Sequence, residues 1–389
     1  MKICLISGEF PPMQGGVGDY THELGQAMAD QGHEILILTS VRAADQGANS
    51  GYRAFPIIDD WGWPFWKKLR AFCQREQPDL VNIQYQAAAY EMKPAINLLP
   101  WRLRLWPAPR PAVAVTFHDL LVPFLFRGAG PVRRWSINYL ARSADGVITT
   151  NEEDSAQLDT RAPGTPRRLV PIGPNVMPRS RAHVDRPAWR KRWGIKGDQL
   201  ALSYFGFLNQ SKGGEELIEA LAKLVTEGRD ARLLMIGGRV GASDPTNLAY
   251  LHRVQALIAR HGLTDRVVWT DYLPEEEATA TLMASDICVL PYRDGVSTRR
   301  GTLMAALVHG LPVVTTQPRV PLEQFRDGEN MLLAPPEDPD ALAACIARLA
   351  DDAELRQHIG AGAEMLAQRF TWPAIAASTL EFFAELITE

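Results

Sequence analysis

The sequence predicts an α/β protein built of two doubly wound, Rossmann-like domains, and three observations support this prediction. Short apolar runs of strand length alternate with amphipathic helical segments along the chain. Loops rich in glycine, proline or polar residues follow these runs, as they do at the carboxyl ends of parallel strands. The chain has 389 residues, which is too long for one ordinary hydrophobic core.

Composition excludes several classes of protein. The net charge of −4 argues against a general nucleic-acid binder, since such proteins neutralise phosphates with a basic face. The four cysteines are scattered, so reduced core thiols are favoured over disulfides or a zinc site. No run of about 18 apolar residues occurs, and the first strand is too short for a signal sequence. We therefore expect a cytoplasmic protein, with the inner face of the membrane as a further location.

The first βαβ unit is predicted from a strand at Lys2–Ser7, a helix at Tyr20–Gln31 and a second strand at Glu34–Thr39. The loop between the first strand and the helix should face the ligand crevice of a doubly wound sheet. Gly15 and Gly16 in that loop would let the backbone approach a ligand without a Cβ in the way. A plain tight turn explains the same glycines, so both interpretations stay open.

His118 lies at the end of the predicted strand Ala112–Phe117. That edge of a parallel sheet is where ligands bind, which favours a functional histidine. A structural histidine with satisfied hydrogen bonds is the alternative.

A proline- and glycine-rich segment, Pro171–Pro178, is the predicted linker, and a second βα series follows it. The predicted domains are residues 1–172 with 372–389, and residues 173–371. We expect the functional site in the cleft between them.

The second domain contains one unit, Ser285–Thr316, that predicts an anion site. A buried strand at Ile287–Leu290 is followed by a loop with Ser297–Thr302, a helix that Gly310 ends, and a strand at Leu311–Thr316. Hydroxyls, two guanidiniums and free backbone N–H groups thus meet at a helix N-terminus. A phosphate is the expected ligand.

Six segments in this order resemble the family-4 retaining glycosyltransferases of the GT-B fold: GGVGDYTHEL, FHD, GFLNQSKGGEELIEAL, VVWTDYLPEEE, SDICVLPY with GLPVVTT, and FTWPAIA. The resemblance implies two Rossmann-like domains facing a cleft, with the C-terminal helix crossing back to the first domain. It also implies transfer of a hexosyl group from a nucleotide-diphosphate sugar to an acceptor hydroxyl with retention of configuration. The donor would be a co-substrate, with no other cofactor and no metal, because fixed cations replace the divalent ion.

The resemblance also assigns roles to residues. Gly15 and Gly16 would contact the diphosphate, Lys212 would neutralise it as an exposed lysine, and His118 would face the donor sugar. The remaining implied contacts are the nucleotide side (Phe207, Tyr272, Leu273, Gly301, Thr302) and the acceptor side (Asp19, Asp119).

Three positions depart from the family pattern. Phe207 replaces a usual arginine, and Ser297 and Ala305 replace two glutamates spaced eight positions apart. Asp294 would then be a substitute for the first glutamate in contacting the donor sugar.

These departures suggest that Ser297 with Arg299 or Arg300 grips phosphate in place of the family's glutamates. Only one of the two arginines is expected to do so, since neighbours in a loop rarely face the same way.

The acceptor stays open between a saccharide, a lipid-linked compound and a small molecule. Residues 61–142 hold twelve Lys or Arg against four Asp or Glu, together with six tryptophans. Such segments are typical of an interfacial membrane contact, but tryptophans lining a core or pocket, with the arginines on a solvated face, are the favoured explanation.

Two other functions also remain open. They are a related GT-B epimerase or phosphorylase, and a catalytically weak scaffold protein. Retention of Gly15, Gly16, His118 and Lys212 favours an active enzyme.

Overall fold

The computed structural model describes residues 1–13, 15–43, 51–120, 129–178, 184–239 and 246–388. The chain divides into two compact units. The first is Met1–Gly173 with Thr371–Glu389, and the second is Pro174–Phe370. Each unit contains one parallel sheet covered by helices, so the two doubly wound halves predicted from the sequence are confirmed.

The first unit has a seven-stranded sheet in the order β3-β2-β1-β4-β5-β6-β7. Its strands are β1 Lys2–Ile6, β2 Glu34–Ser40, β3 Arg53–Ile58, β4 Leu80–Tyr85, β5 Ala112–Phe117, β6 Gly146–Thr149 and β7 Arg167–Leu169. The strand order reverses between β1 and β4, and loops at that point of a doubly wound sheet are where ligands bind.

Six helices flank this sheet in the described part of the unit. They are α1 Gly16–Asp30, α2 Pro64–Glu76, α3 Leu99–Arg104, α4 Ala129–Ser143, α5 Glu152–Arg161 and, at the end of the chain, α13 Trp372–Thr388. The helix α13 packs on α1, so the C-terminal segment completes the first unit.

The second unit has a six-stranded sheet in the order β10-β9-β8-β11-β12-β13. Its strands are β8 Leu200–Phe205, β9 Ala231–Ile236, β10 Val267–Asp271, β11 Ile287–Leu290, β12 Val313–Thr316 and β13 Leu332–Ala334. Its helices are α6 Arg186–Arg192, α7 Gly214–Thr226, α8 Thr246–Arg260, α9 Glu275–Ala284, α10 Gly301–Val308, α11 Pro339–Asp351 and α12 Ala353–Ala367. A 3-10 turn at Gln210–Lys212 precedes α7.

Some element boundaries differ from the prediction. The helix α1 begins at Gly16, four residues before the predicted start, because a carboxylate from outside the helix satisfies its first N–H groups. Strand β12 begins at Val313, after Pro312, whose ring nitrogen cannot donate to a neighbouring strand. The edge strands β3 and β13 were not predicted from the sequence.

Candidate functional site

The candidate site of the second unit lies where β8 and β11 end. Gly213 has a φ of 67°, and a Cβ at this position would overlap the carbonyl oxygen of Pro291. The Arg293 N–H also donates to the Ser211 carbonyl at 2.8 Å. These contacts hold the turn that carries Lys212 against the loop after β11.

Lys212 is half-buried, so the expectation of an exposed lysine is wrong. Its Nζ is 3.2 Å from the position that a Cβ of Gly206 would take, at the end of β8. The pKa of Lys212 is lowered to about 8, first by burial and then by the Arg300 guanidinium, while Asp294 opposes the shift. The lysine is therefore a cation held in a place where its charge is poorly solvated.

Asp294 binds both neighbouring arginines. Arg299 Nη2 donates to Asp294 Oδ2 at 3.0 Å, and Arg300 Nη2 donates to Oδ1. The two neighbours therefore face the same side of the loop, contrary to expectation, and which of them grips phosphate stays a prediction. One carboxylate with two oxygens can draw both guanidiniums to the same side of the loop.

Arg300 has the more enclosed guanidinium of the two. Its side chain is 12% exposed, against 22% for Arg299. Its Cζ lies 4.5 Å from the centre of the Tyr292 ring, and the Tyr292 hydroxyl is 2.9 Å from Thr302 Oγ1. Arg300 is thus held by an aromatic face on one side and by a carboxylate at one end.

Two buried polar atoms in this loop have no hydrogen-bond partner among the described residues. They are Ser297 Oγ and Arg300 Nε. Buried polar atoms almost always form hydrogen bonds, so these two atoms need a partner that the described residues do not supply. The site also carries more positive than negative charge, with Lys212, Arg299 and Arg300 against Asp294. This arrangement is suited to a bound anion.

The other predicted residues of the second unit lie around these elements. The Phe207 ring lies against Gly238 at the end of β9, and Tyr272 is exposed after β10. Leu273 packs on the core, and Gly301 opens α10. Ala305 is fully buried in the core, so its side chain contributes no polar contact.

In the first unit, His118 follows β5, as predicted. Its Nε2 lies 2.9 Å from Gln84 Oε1, and its ring meets the Tyr20 ring edge to face with centres 4.7 Å apart. Burial lowers the pKa of His118 to about 3, so the imidazole is neutral at physiological pH. The neighbouring Asp119 accepts a hydrogen bond from Gln86 at 3.0 Å.

The start of α1 holds a residue that the sequence analysis missed. Glu9 Oε1 accepts from the Val17 N–H at 3.0 Å and the Gly18 N–H at 3.4 Å. A Cβ at Gly15 would overlap this carboxylate, so the close approach that Gly15 allows is used by Glu9. The diphosphate contacts of Gly15 and Gly16 remain predictions.

The pKa of the Asp19 carboxyl in the same turn is raised to about 6, first by desolvation and then by the Glu9 carboxylate. Its predicted acceptor contact is untested. The sequence signal for Glu9 is an acidic residue in the loop that follows the buried strand β1.

Asn82 and Gln84 on β4 were also missed. Both are fully buried in a strand, Leu80–Tyr85, whose other residues are apolar or aromatic. Their spacing of two residues puts them on one face of the strand, and that alternation is a readable signal.

In the part of the chain that the structure describes, the side chains form no cluster suited to metal binding or to thiol chemistry. No set of three or more His, Cys, Asp or Glu side chains there could hold a metal ion. The four cysteines are free, and Cys4, Cys73 and Cys288 are buried.

The tryptophans predicted for a membrane contact or a core include both buried and exposed side chains. Trp61 is buried in the core of the first unit. Trp63, Trp101 and Trp135 are exposed. Two aliphatic side chains are exposed as well, Leu105 directly after α3 and Val132 on α4. We call these five exposed residues the aromatic surface. No helix in the described part of the chain combines the length and apolarity of a membrane span.

Comparison with known proteins identifies the class. The family "Glycosyl transferase 4-like domain" matches residues 15–175, and "Glycosyl transferases group 1" matches residues 185–365. D-inositol 3-phosphate glycosyltransferase of Corynebacterium diphtheriae is 27% identical, over 98% of this chain and 93% of its own length.

Two solved structures show the same fold over nearly the whole of both chains. Sucrose-phosphate synthase from Thermosynechococcus elongatus has a TM-score of 0.78 at 22% identity, covering 100% of this chain and 99% of its own. Anabaena HepE in complex with UDP and glucose has a TM-score of 0.76 at 18% identity, covering 99% and 100%. Fold and family models together make this chain a glycosyltransferase of the GT-B fold.

Proposed function

We propose that this enzyme transfers a hexosyl group from a nucleoside-diphosphate sugar to an acceptor hydroxyl, with retention of configuration and without a metal ion. The observation that carries the proposal is the pair of unsatisfied buried atoms, Ser297 Oγ and Arg300 Nε. They belong to a group in which three cationic side chains face one carboxylate, and a diphosphate supplies the missing acceptors and charge.

A nucleotide donor is supported by HepE, a structural neighbour that was crystallised with UDP and glucose. In our proposal Lys212 and Arg300 bind phosphate oxygens, and Ser297 donates its hydroxyl to one of them. Thr302 and the first N–H groups of α10 lie at the same place and would add backbone donors.

The chemical step follows from these charges. When the sugar–phosphate bond breaks, negative charge grows on the leaving diphosphate, and preorganised cations stabilise it. The acceptor oxygen bonds to the anomeric carbon on the face from which the diphosphate leaves, and that phosphate accepts the proton of the acceptor hydroxyl. A carboxylate pair of the glycosidase kind is not needed. His118 is neutral and acts by hydrogen bonding, so it does not serve as a cationic acid.

The donor is tested by thermal unfolding with UDP-, GDP-, ADP- and dTDP-sugars, each with and without EDTA. A donor at 100 times its dissociation constant stabilises the folded state by about 2.7 kcal/mol. We expect one nucleotide to raise the unfolding midpoint, with no loss on adding EDTA. A shift that requires a divalent ion would contradict metal-independent binding, and no shift with any nucleotide sugar would contradict the proposed donor.

The aromatic surface supports a further part of the proposal, a contact with the anionic face of a membrane. Arg102 lies over the Trp66 ring at 5.8 Å, Trp63 packs on Trp66, and α3 packs on α4, so the exposed residues form one neighbourhood. The helices α2, α3 and α4 also carry basic residues. Residues 121–128, in the same basic stretch, lie outside the described part of the chain.

Vesicles containing anionic lipid should therefore sediment the protein at low salt and release it as salt rises, since screening weakens the basic contacts. Replacing Trp63 and Trp135 by serine should abolish sedimentation. Met365→Ser removes a similarly exposed apolar side chain from the second unit and is the matched control. If the wild type does not sediment at low salt, the membrane contact is wrong.

A further inference from the structure

A buried chain of polar side chains connects two strands of the first unit and ends on His118. Gln84 Nε2 donates to Asn82 Oδ1, and Asn82 Nδ2 donates to Thr116 Oγ1 at 3.0 Å. Asn82, Gln84 and Thr116 have no exposed surface. Amides are rare in the centre of a parallel sheet, because their desolvation is costly unless every group is bonded.

The direction of these hydrogen bonds determines which ring nitrogen of His118 carries the proton. Because the Gln84 amide nitrogen is used as the donor to Asn82, its oxygen is the group that faces His118 Nε2, at 2.9 Å. An amide oxygen only accepts, so Nε2 carries the hydrogen. The other ring nitrogen, Nδ1, then has a bare lone pair.

The surroundings keep this arrangement in place. The Tyr20 ring lies edge to face with the imidazole and restricts its rotation. Among the described residues none forms a hydrogen bond with Nδ1. The titratable groups beside His118 are Tyr20, whose buried phenol has a raised pKa, and Asp119, which accepts from Gln86. Burial keeps the imidazole neutral, which Nδ1 needs in order to accept.

We propose that Gln84, itself held by Asn82 and Thr116, is a positioning residue that keeps His118 in its Nε2–H form, so that Nδ1 accepts a hydrogen bond from a hydroxyl of the substrate sugar. The proposal depends on the proposed function in one respect only, which is that the bound substrate is a sugar. His118 would thus recognise one hydroxyl group of the sugar by accepting a hydrogen bond from it. A sugar that lacks this hydroxyl, or carries fluorine there, has no proton to donate and is discriminated against.

Two variants of Gln84 test the proposal. Gln84→Met keeps the side-chain length but removes the acceptor, so we expect a mixture of tautomers and kcat/KM lower by about tenfold. Gln84→Glu keeps an acceptor opposite Nε2, and its charge favours the imidazolium and raises the pKa of His118. Below that raised pKa, Nδ1 is protonated and cannot accept. The activity of Gln84→Glu should therefore fall as pH falls through the raised pKa of His118, which gives its pH profile an acid limb. The pH profile of the wild type should show no acid limb from this histidine.

The tautomer is measured directly from the ¹⁵N chemical shifts of the ring in the unliganded protein, with His118→Gln to assign the signals. Thr39→Val is the matched control, because Thr39 is a fully buried strand residue of the same sheet whose hydroxyl has no partner among the described residues. It should change neither the tautomer nor the activity.

The outcomes separate this inference from the proposed function. An Nδ1–H form in the wild type overturns the inference whatever the activity, and so does a Gln84→Glu variant without the acid limb. Gln84→Met with wild-type tautomer and kcat/KM also overturns it. A wild type in the Nε2–H form that transfers no sugar from any donor contradicts the proposed function, while the positioning of His118 by Gln84 is supported.

Discussion

Replacing Lys212 by alanine is expected to lower kcat/KM by roughly 100- to 1,000-fold and to leave the thermal unfolding midpoint nearly unchanged. The loss arises because, in the proposed mechanism, Lys212 stabilises charge that develops on the leaving diphosphate. Stability should not fall, because the folded state disfavours the charged form of this half-buried lysine, as its pKa of about 8 indicates, and alanine removes this cost together with the side-chain contacts. Steady-state kinetics and a thermal melt of the same samples check both parts.

The matched control for Lys212 is Lys223→Ala. Lys223 lies on α7, the helix that follows the Lys212 turn, and pairs with Asp340 at the surface. Its loss should hardly change kcat/KM. Wild-type kcat/KM in Lys212→Ala would remove the lysine from the active site.

The pH dependence of nucleoside-diphosphate binding gives a second readout for the same residue. Lys212 is cationic below a pH of about 8 and neutral above it. The affinity of the wild type should therefore fall as pH rises through this value, and binding near it should be accompanied by proton uptake. Calorimetry in buffers of different ionisation enthalpy measures this uptake, which Lys212→Ala should lack.

Arg300→Ala is expected to lower kcat/KM by roughly 10- to 150-fold, whereas Arg299→Ala should lower it only a few-fold. Both arginines bind Asp294, but Arg300 is the less exposed, lowers the pKa of Lys212 and has an unsatisfied Nε. A charge-assisted hydrogen bond to phosphate is worth about 1.5–3 kcal/mol, which corresponds to the range given. Each variant serves as the control for the other, since both leave Asp294 with one partner.

Competition by the free nucleoside diphosphate decides whether the phosphate is what Arg300 holds. We expect the free nucleoside diphosphate to inhibit Arg300→Ala more weakly than the wild type, in proportion to the loss of kcat/KM. If both variants bind the nucleoside diphosphate as tightly as the wild type, the phosphate grip is wrong. Asp294 would then be the residue to test as a sugar contact.

Several elements were predicted to the residue because their signals are local. Strand β5 runs from Ala112 to Phe117 and strand β11 from Ile287 to Leu290, both as predicted. Pro111 precedes β5 and Pro291 follows β11, so each of these boundaries is marked by an adjacent residue. Helix α1 shows the opposite case, because Glu9, which satisfies its first N–H groups, lies outside the helical pattern.

The candidate site divides in the same way. The sequence placed His118 at the end of a strand and Ser297–Thr302 before a helix, and both positions follow from the order of apolar and polar residues along the chain. It did not indicate that Asp294 binds both arginines, that Lys212 is half-buried or that Gln84 faces His118.

Sequence alone thus determined the class of fold, the order of its elements and the loops at the carboxyl ends of the strands, because hydrophobic periodicity acts over a few neighbouring residues. Tertiary structure alone decided which polar groups meet. Gln84 and His118 are 34 positions apart, and hydrogen bonds and charges act through distance in space. The same packing buried Trp61 and exposed Trp63, two residues away.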